Sequence, residues 1–385
     1  MNVPTEFDEI RPYTPEELPQ MFEKLIDDPQ FREVISLIFP DMPFSVFAQE
    51  LRKCRNNQEV QEKFAYGLLN DIEKKYTRGV DMDVSNIASD MRYTFVSNHR
   101  DIVLDSAFLS RELVRNHFPC TVEIAIGDNL LIYPWIRRVV RINKSFIVQR
   151  SLQLREMLIS SARMSRYMHY AINVKKENIW IAQREGRAKD SDDRTQDSIL
   201  KMMAMGGKGN TIESLTDLHI VPLSISYEYD PCDFLKAKEF QLKRDNPDYV
   251  KTNEDDLQNM RTGIFGYKGR VHYHPAPCLD EWLASLDAGM HKSELFDRIA
   301  KHIDCEIHKN YRIYPGNYAA ADMLLGEKYF ADRYSETELD TFEKYIAQRI
   351  EMVDLPHKDE SFLREKLLAM YANPALNQER ALTAE

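Results

Sequence analysis

The feature that most constrains the fold is an alternation of short β-rich runs with longer amphipathic runs, which begins near Met91 and ends near Pro277. The β-rich runs, in order, read RYTFVSN, TVEIAIG, SFIVQ, NIWIAQ, HIVPLSISYEY and GRVHYHPAP. Most of them are separated by segments whose apolar residues recur at helical spacing. This alternation predicts an α/β domain, with a largely parallel mixed sheet flanked by helices.

The segments on either side of this alternation have helical patterns. The first begins with the capping box Thr14–Glu17, with proline at the first helical position. The last contains a second such box at Ser335 and Glu338, and the tail from Asn373 is expected to fray. The expected division is an N-terminal helical region 1–88, an α/β domain 89–280 and a C-terminal helical region 281–385.

Charge and cysteine content limit which kinds of partner the protein is expected to bind and in which cellular compartment it is expected. The net charge of −11 argues against nucleic acid as the main partner, because a phosphate backbone requires a basic surface. The five cysteines have no C-x-x-C spacing, and the polar, acidic N-terminus does not resemble a targeting signal. The longest apolar run, Leu130–Ile136, is far shorter than the about 20 residues of a membrane span. We therefore expect a cytoplasmic protein with free thiols, peripheral on the inner face of the cytoplasmic membrane at most.

One stretch carries a local positive charge. Between Trp135 and Arg166 there are eight arginines and lysines against the single acid Glu156. This pattern is consistent with a solvated helix face, or with a surface for phospholipid headgroups, coenzyme A phosphates or an acidic carrier protein. Tyr133 and Trp135 beside it fit either a membrane interface or the core.

The triplet His99-Arg100-Asp101 has the letters of a protein-kinase catalytic loop. A kinase loop has asparagine five residues after the aspartate, where this chain has Ser106. The chain also has no glycine-rich G-x-G-x-x-G run upstream and no D-F-G downstream. The kinase interpretation is therefore rejected.

The same triplet lies between a strand-like run and a helix-like run, where open α/β sheets bind ligands. A neutral imidazole at His99 could accept a proton from an attacking hydroxyl if a carboxylate held its other nitrogen. Asp101 and Asp105 are both near enough in sequence to do so. The alternative is that His99 and the aspartates only cap the turn and the helix.

Four short motifs in order resemble those of the glycerolipid acyltransferase superfamily, which includes glycerol-3-phosphate and lysophosphatidic acid acyltransferases. The H-x4-D motif is similar to SNHRDIVLD, with His99 and Asp105, and the second motif to SFIVQR, with Arg150. The third, E-G-x-R, is similar to Glu185–Arg187, and the fourth to IVPLSISYE, with Pro222. The run GDNL before the second motif looks like the glycerol-3-phosphate branch.

The resemblance implies an acyltransferase fold and the transfer of a fatty acyl group from an acyl-coenzyme A or acyl carrier protein thioester to glycerol-3-phosphate or 1-acylglycerol-3-phosphate. It implies a membrane surface as partner, with no cofactor besides the donor and no metal. The alternatives are another lysolipid acceptor, such as an amino-acid lipid, or a non-catalytic lipid-binding protein of the same fold. The implied catalytic residues are His99 and Asp105, and the implied substrate-binding residues are Arg150, Glu185, Gly186, Arg187 and Pro222.

Two departures from the family pattern leave assignments open. Five residues separate His99 from Asp105 instead of four, so Asp101 stays an alternative partner. The third motif is one residue short, which makes Arg184 and Lys189 alternatives to Arg187 as an anion ligand.

Two histidine clusters resemble metal sites in composition only. His302, Cys305 and His308 follow each other at three-residue spacing, which turns the two histidines away from each other on a helix. His272 and His274 share one face of a strand but have no third ligand in the pattern. We predict structural roles for both.

Overall fold

The computed structural model describes residues 3–149 and 153–383. Its centre is a seven-stranded sheet in the order β1-β7-β6-β2-β5-β3-β4. Strands β2 to β6 run parallel to one another where they pair, whereas β6 pairs antiparallel with β7, which pairs parallel with β1. The strands are β1 Val80–Met82, β2 Thr94–Ser97, β3 Val122–Gly127, β4 Ser145–Val148, β5 Asn178–Ala182, β6 Ile220–Tyr227 and β7 Val271–Pro275.

Helices precede, connect and follow the strands. Those before the sheet are α1 Leu18–Ile26, α2 Pro29–Ile38, α3 Phe44–Arg52, α4 Asn57–Val60 and α5 Tyr66–Tyr76. Those between strands are α6 Leu104–Arg115, α7 Pro134–Ile142, α8 Leu154–Tyr170, α9 Asp197–Ala204, α10 Thr211–Thr216, α11 Asp233–Asp245 and α12 Asn253–Phe265. Those after the sheet are α13 Asp280–Ala284, α14 Lys292–Lys309, α15 Pro315–Leu325, α16 Glu336–Glu351 and α17 Glu360–Thr383.

Both faces of the sheet are buried, as expected for parallel strands. On β2, Phe95 belongs to the apolar cluster that includes residues of α5 and α6. Its neighbour Val96 belongs to the opposite cluster, with residues of α8, α9 and α14. Successive side chains of a strand point to opposite faces, so a run of apolar residues is what a strand covered on both faces requires. The predicted α/β architecture with flanking helices is confirmed.

The sheet extends beyond the strands that the sequence predicted. Val80–Met82, which lies in the region predicted to be helical, forms the edge strand β1. It pairs in register with β7 through Val80 and Val271. Three residues are too few to show a strand pattern, so the pairing with a distant partner determines this element.

The expectation of a frayed C-terminal tail was wrong. Helix α17 continues to Thr383 with Pro374 in its interior. Asn377 Nδ2 donates to Asp192 Oδ1 at 2.9 Å, and Gln378 Nε2 donates to the carbonyl of Tyr311 at 2.6 Å. These tertiary contacts hold the helix despite the backbone hydrogen bond that proline removes.

None of the helices that the structure describes is both long enough and apolar enough to cross a lipid bilayer.

Candidate active site

A cleft of about 500 Å³ opens where β2, β3 and β5 end at their carboxyl side. His99 lies two residues beyond the end of β2 at Ser97 and lines this cleft. Its ring packs edge-on against Trp180 of β5, with ring centroids 5.3 Å apart. His99 therefore lies at the carboxyl end of its strand, the position that the sequence pattern predicted.

Asp105 holds the imidazole of His99. Its Oδ2 lies 2.8 Å from His99 Nδ1 and also accepts hydrogen bonds from the backbone N–H groups of Arg100, at 2.6 Å, and Asp101, at 3.0 Å. The Asp105 side chain is fully buried in the first turn of α6. A carboxylate only accepts, so Nδ1 carries the proton, and Nε2 keeps its lone pair for a group in the cleft.

Asp101 caps the start of helix α6 instead of holding the imidazole of His99. Its Oδ1 accepts from the N–H groups of Val103, at 2.9 Å, and Leu104, at 2.8 Å, at the start of α6. These are N–H groups that lack a partner within a helix. Burial raises the pKa of Asp101, and the charge of Asp105 adds to this effect. Of the two aspartates that the sequence left open, the structure places Asp105 against His99.

The residue after His99 ties the turn to the loop beyond β5. The Arg100 guanidinium forms a buried ion pair with Asp193. The Arg100 carbonyl accepts a long hydrogen bond, 3.5 Å, from Nη1 of Arg187. The turn that carries His99 and the loop of the third motif are therefore joined.

The loop of the third motif forms the cationic side of the cleft. Glu185, Gly186 and Arg187 all line it, and so do the alternative ligands Arg184 and Lys189. Gly186 has a φ of +68°, a left-handed conformation in which glycine has no side-chain cost. Lys189 forms an ion pair with Glu239 at 2.9 Å, and burial lowers the pKa of its ammonium.

One predicted substrate-binding residue, Pro222, is not among the residues that line the cleft. Arg150 lies outside the described residues. Pro222 is buried in β6, where its position pairs with Val96 of β2 and its carbonyl accepts from the N–H of Ala276 at 2.8 Å. Pro222 therefore packs inside the sheet, and its substrate-binding role stays a prediction.

A second part of the cleft lining is apolar. It is formed by the start of the turn before α6, by β3 and by α7 with the segment before it. The residues are Ile102, Val103, Ile124, Ala125, Ile126, Leu130, Ile132, Ile136 and Val140. One cleft thus combines a histidine with a carboxylate partner, an apolar wall and a cationic wall.

Sequence reasoning missed a whole wall of this cleft. Helix α12 contributes Asn253, Asp256, Leu257, Asn259 and Met260. The box formed by Thr252 and Asp255 at its start could have revealed the helix. No local signal shows that it faces His99.

Most of the basic stretch pairs within the protein. Arg163 pairs with Glu9 at 3.0 Å, and Arg166 pairs with Glu6 at 2.7 Å. Arg141 is buried and donates to backbone carbonyls, including that of Arg11 at 2.8 Å. Trp135 packs against Phe31 of the N-terminal helices with ring centroids 6.0 Å apart, so its core interpretation holds. Tyr133, in contrast, is exposed.

The two histidine clusters have ordinary packing partners. The His302 ring stacks on Trp282 at 3.8 Å, and His308 is buried with Nε2 3.3 Å from the carbonyl of Asp193. His272 Nδ1 lies 2.7 Å from Asp81 Oδ2. These contacts agree with the structural roles predicted for them.

Residues 81–226 match the family model described as Acyltransferase. This segment runs from β1 almost to the end of β6 and contains His99, Asp105 and the third-motif loop. This segment is therefore an acyltransferase-family domain, and the chain is an acyltransferase.

A search of curated proteins found no match. Among solved structures, the chain is similar to the crystal structure of the 1-acyl-sn-glycerophosphate (LPA) acyltransferase PlsC from Thermotoga maritima. The two are 13% identical, the match covers 74% of this chain and 92% of the other, and the TM-score is 0.37.

Proposed function

We propose that the protein transfers a fatty acyl group from a coenzyme A or acyl carrier protein thioester to a hydroxyl of glycerol-3-phosphate or 1-acylglycerol-3-phosphate, with His99 as general base. The observation that carries this proposal is the pair His99 Nδ1 and Asp105 Oδ2, 2.8 Å apart, inside a cleft with one apolar and one cationic wall. The proposal requires no cofactor besides the acyl donor.

In the proposed reaction, Nε2 of His99 takes the proton of the acceptor hydroxyl as its oxygen attacks the thioester carbon. The tetrahedral intermediate then collapses, the carbon–sulfur bond breaks, and the imidazolium returns the proton to the leaving thiolate. Asp105 keeps Nδ1 protonated and stabilises the imidazolium between the two steps. No covalent enzyme intermediate is needed.

The cationic wall suits an acceptor phosphate. Arg187 presents a planar guanidinium that can pair with two phosphate oxygens, and Gly186 gives the loop its left-handed turn. We also assign Arg150 to this role from the second motif, and Glu185 to shaping the loop. The phosphate contacts would orient the hydroxyl toward the thioester carbon.

The apolar wall suits the acyl chain, which enters from a thioester donor and leaves as part of a lipid. Burial of each methylene stabilises the bound chain by about 0.8 kcal/mol. Ile132 of this wall and its neighbour Tyr133 have exposed side chains, which we assign to contact with a bilayer. We therefore propose that the enzyme works at the cytoplasmic face of the membrane.

The test is an incubation of purified protein with labelled palmitoyl-coenzyme A or an acyl carrier thioester, and with glycerol-3-phosphate or its 1-acyl form. We expect wild type to form lipid and His99→Ala to lose about 10²- to 10⁴-fold in kcat. His357→Ala is the matched control, because this histidine is exposed and its hydrogen bond with Gln241 uses the backbone carbonyl, which the substitution keeps.

Equal turnover by wild type and His99→Ala would reject the base assignment. Binding of lipid without turnover by wild type would favour the non-catalytic alternative. Turnover only with an amino-acid lysolipid would move the acceptor to that class.

A further inference from the structure

Helix α12 forms a wall of the cleft although it lies beyond the acyltransferase-family match, which ends at residue 226. It belongs to the connection between β6 and β7. Its residues next to the catalytic turn are therefore features of this chain that the family match does not cover.

Asn259 is the α12 residue that contacts the cationic wall. Its Oδ1 accepts from Nη2 of Arg187 at 3.1 Å, and its Nδ2 donates to the carbonyl of Asp255, one turn earlier, at 2.7 Å. Both halves of the amide are thus bound, and the side chain is buried. Two opposed hydrogen bonds fix the orientation of the amide, so the oxygen faces the guanidinium.

Arg187 is held by neutral acceptors. Its two hydrogen bonds go to the Asn259 amide oxygen and to the carbonyl of Arg100. Within residues 3–149 and 153–383, no carboxylate lies within 4.0 Å of its guanidinium nitrogens. An amide oxygen orients a guanidinium without neutralising it. Burial acts to lower the pKa of Arg187, but the nearby Cys232, Asp101 and Asp230 raise it, so the guanidinium stays charged.

The face of helix α12 that carries Asn259 also packs against the turn that carries His99. Gly263, one turn after Asn259, lies so close to Asp101 that an added Cβ would be 2.0 Å from Asp101 Oδ2. Residues four apart lie above one another on a helix. The helix is therefore positioned directly by the turn that carries His99.

We propose that Asn259 is a positioning residue that orients Arg187 toward the phosphate of the acceptor. The connection between β6 and β7 thereby selects acceptors that carry a phosphate over those that do not. This inference rests on the proposed function.

The test compares Asn259→Ala and Asn259→Asp with wild type in steady-state acyl transfer, using glycerol-3-phosphate against glycerol and 1-acylglycerol-3-phosphate against 1-acylglycerol. We expect Asn259→Ala to raise the KM for the phosphate acceptor about tenfold with kcat and donor KM nearly unchanged, as for the loss of one hydrogen bond to a charged group. Asn259→Asp keeps an acceptor for Arg187 but adds a charge that competes with phosphate, so we expect a larger increase in KM.

In both variants the preference for phosphate-bearing over phosphate-free acceptors should fall. Gln258→Ala, an exposed position on the same helix, should match wild type in every parameter. Calorimetric binding of glycerol-3-phosphate, without donor, measures the same effect if turnover is low.

An unchanged acceptor KM and binding constant in both variants would overturn the inference. So would an equal loss of activity with and without the phosphate, because that is the result of a merely structural role. Failure of wild type to acylate any phosphate acceptor would instead overturn the proposed function, so the two failures are distinct.

Discussion

At the scale of single residues, the site depends on how two neighbouring aspartates divide their roles. Asp105 receives His99 Nδ1 and two backbone N–H groups on one oxygen, whereas Asp101 caps α6. Their distances along the sequence did not distinguish them, because both lie within six residues of the histidine. The direction in which the chain turns after His99 determines which of the two carboxylates reaches the imidazole. That direction depends on the packing of α6.

A second buried carboxyl gives a prediction about stability and pH. Asp304 on α14 accepts hydrogen bonds from the N–H of Thr195 at 2.8 Å and from its hydroxyl at 2.6 Å. Burial raises the pKa of Asp304 to about 6. The folded state therefore holds the proton more tightly, and the stability that this gives is lost as pH rises from about 4 to about 6.

We expect Asp304→Asn, which keeps an acceptor for Thr195, to match wild type near pH 4 and to become more stable than wild type by about 2–3 kcal/mol at pH 7. Burial also lowers the pKa of the nearby His308 to about 4, an effect of opposite sign that is common to both proteins. Urea denaturation at the two pH values measures the difference. A constant difference between the proteins across this range would contradict the prediction.

At the scale of elements, sequence patterns predicted the strands well where the pattern was local. The first five of the six β-rich runs form β2 to β6, and the sixth forms β7. Strand β1 and the end of α17 were missed, because both depend on partners far away in the sequence. The orientation of α12 toward the cleft was missed for the same reason.

The close contact between α12 and the turn that carries His99 predicts the effect of a small substitution. Gly263→Ala places a methyl group against Asp101, so we expect it to destabilise the protein by about 1–3 kcal/mol and to lower activity. Gly67→Ala is the matched control, since Gly67 lies in α5 with no atom within 4 Å of an added Cβ. That change should stabilise the helix by about 0.5–1 kcal/mol without altering activity.

Thermal unfolding and initial rates for the two alanine variants test this pair. If Gly263→Ala were as stable and active as Gly67→Ala, the close contact between α12 and the turn would be incorrect.

At the scale of the whole molecule, the sheet brings together residues that are far apart in sequence. His99, Arg187 and Asn259 come from three connections, and they meet only because the carboxyl ends of β2, β5 and β6 share one edge. Four motifs identified the first two positions. The charge of the segment from Trp135 to Arg166 was misleading as a count, because Glu6 and Glu9 of the N-terminal region neutralise part of it.

The most direct test of the central claim, that Asp105 orients His99 as the base, compares the kcat of Asp105→Asn with that of Asp101→Asn in the same acyl-transfer assay. Asparagine at 101 still accepts from the N–H groups of Val103 and Leu104, so this variant should retain activity within a few-fold of wild type. Asparagine at 105 cannot stabilise an imidazolium, and we expect a loss of about 100-fold or more. Equal rates for the two variants, or a greater loss for Asp101→Asn, would contradict the account.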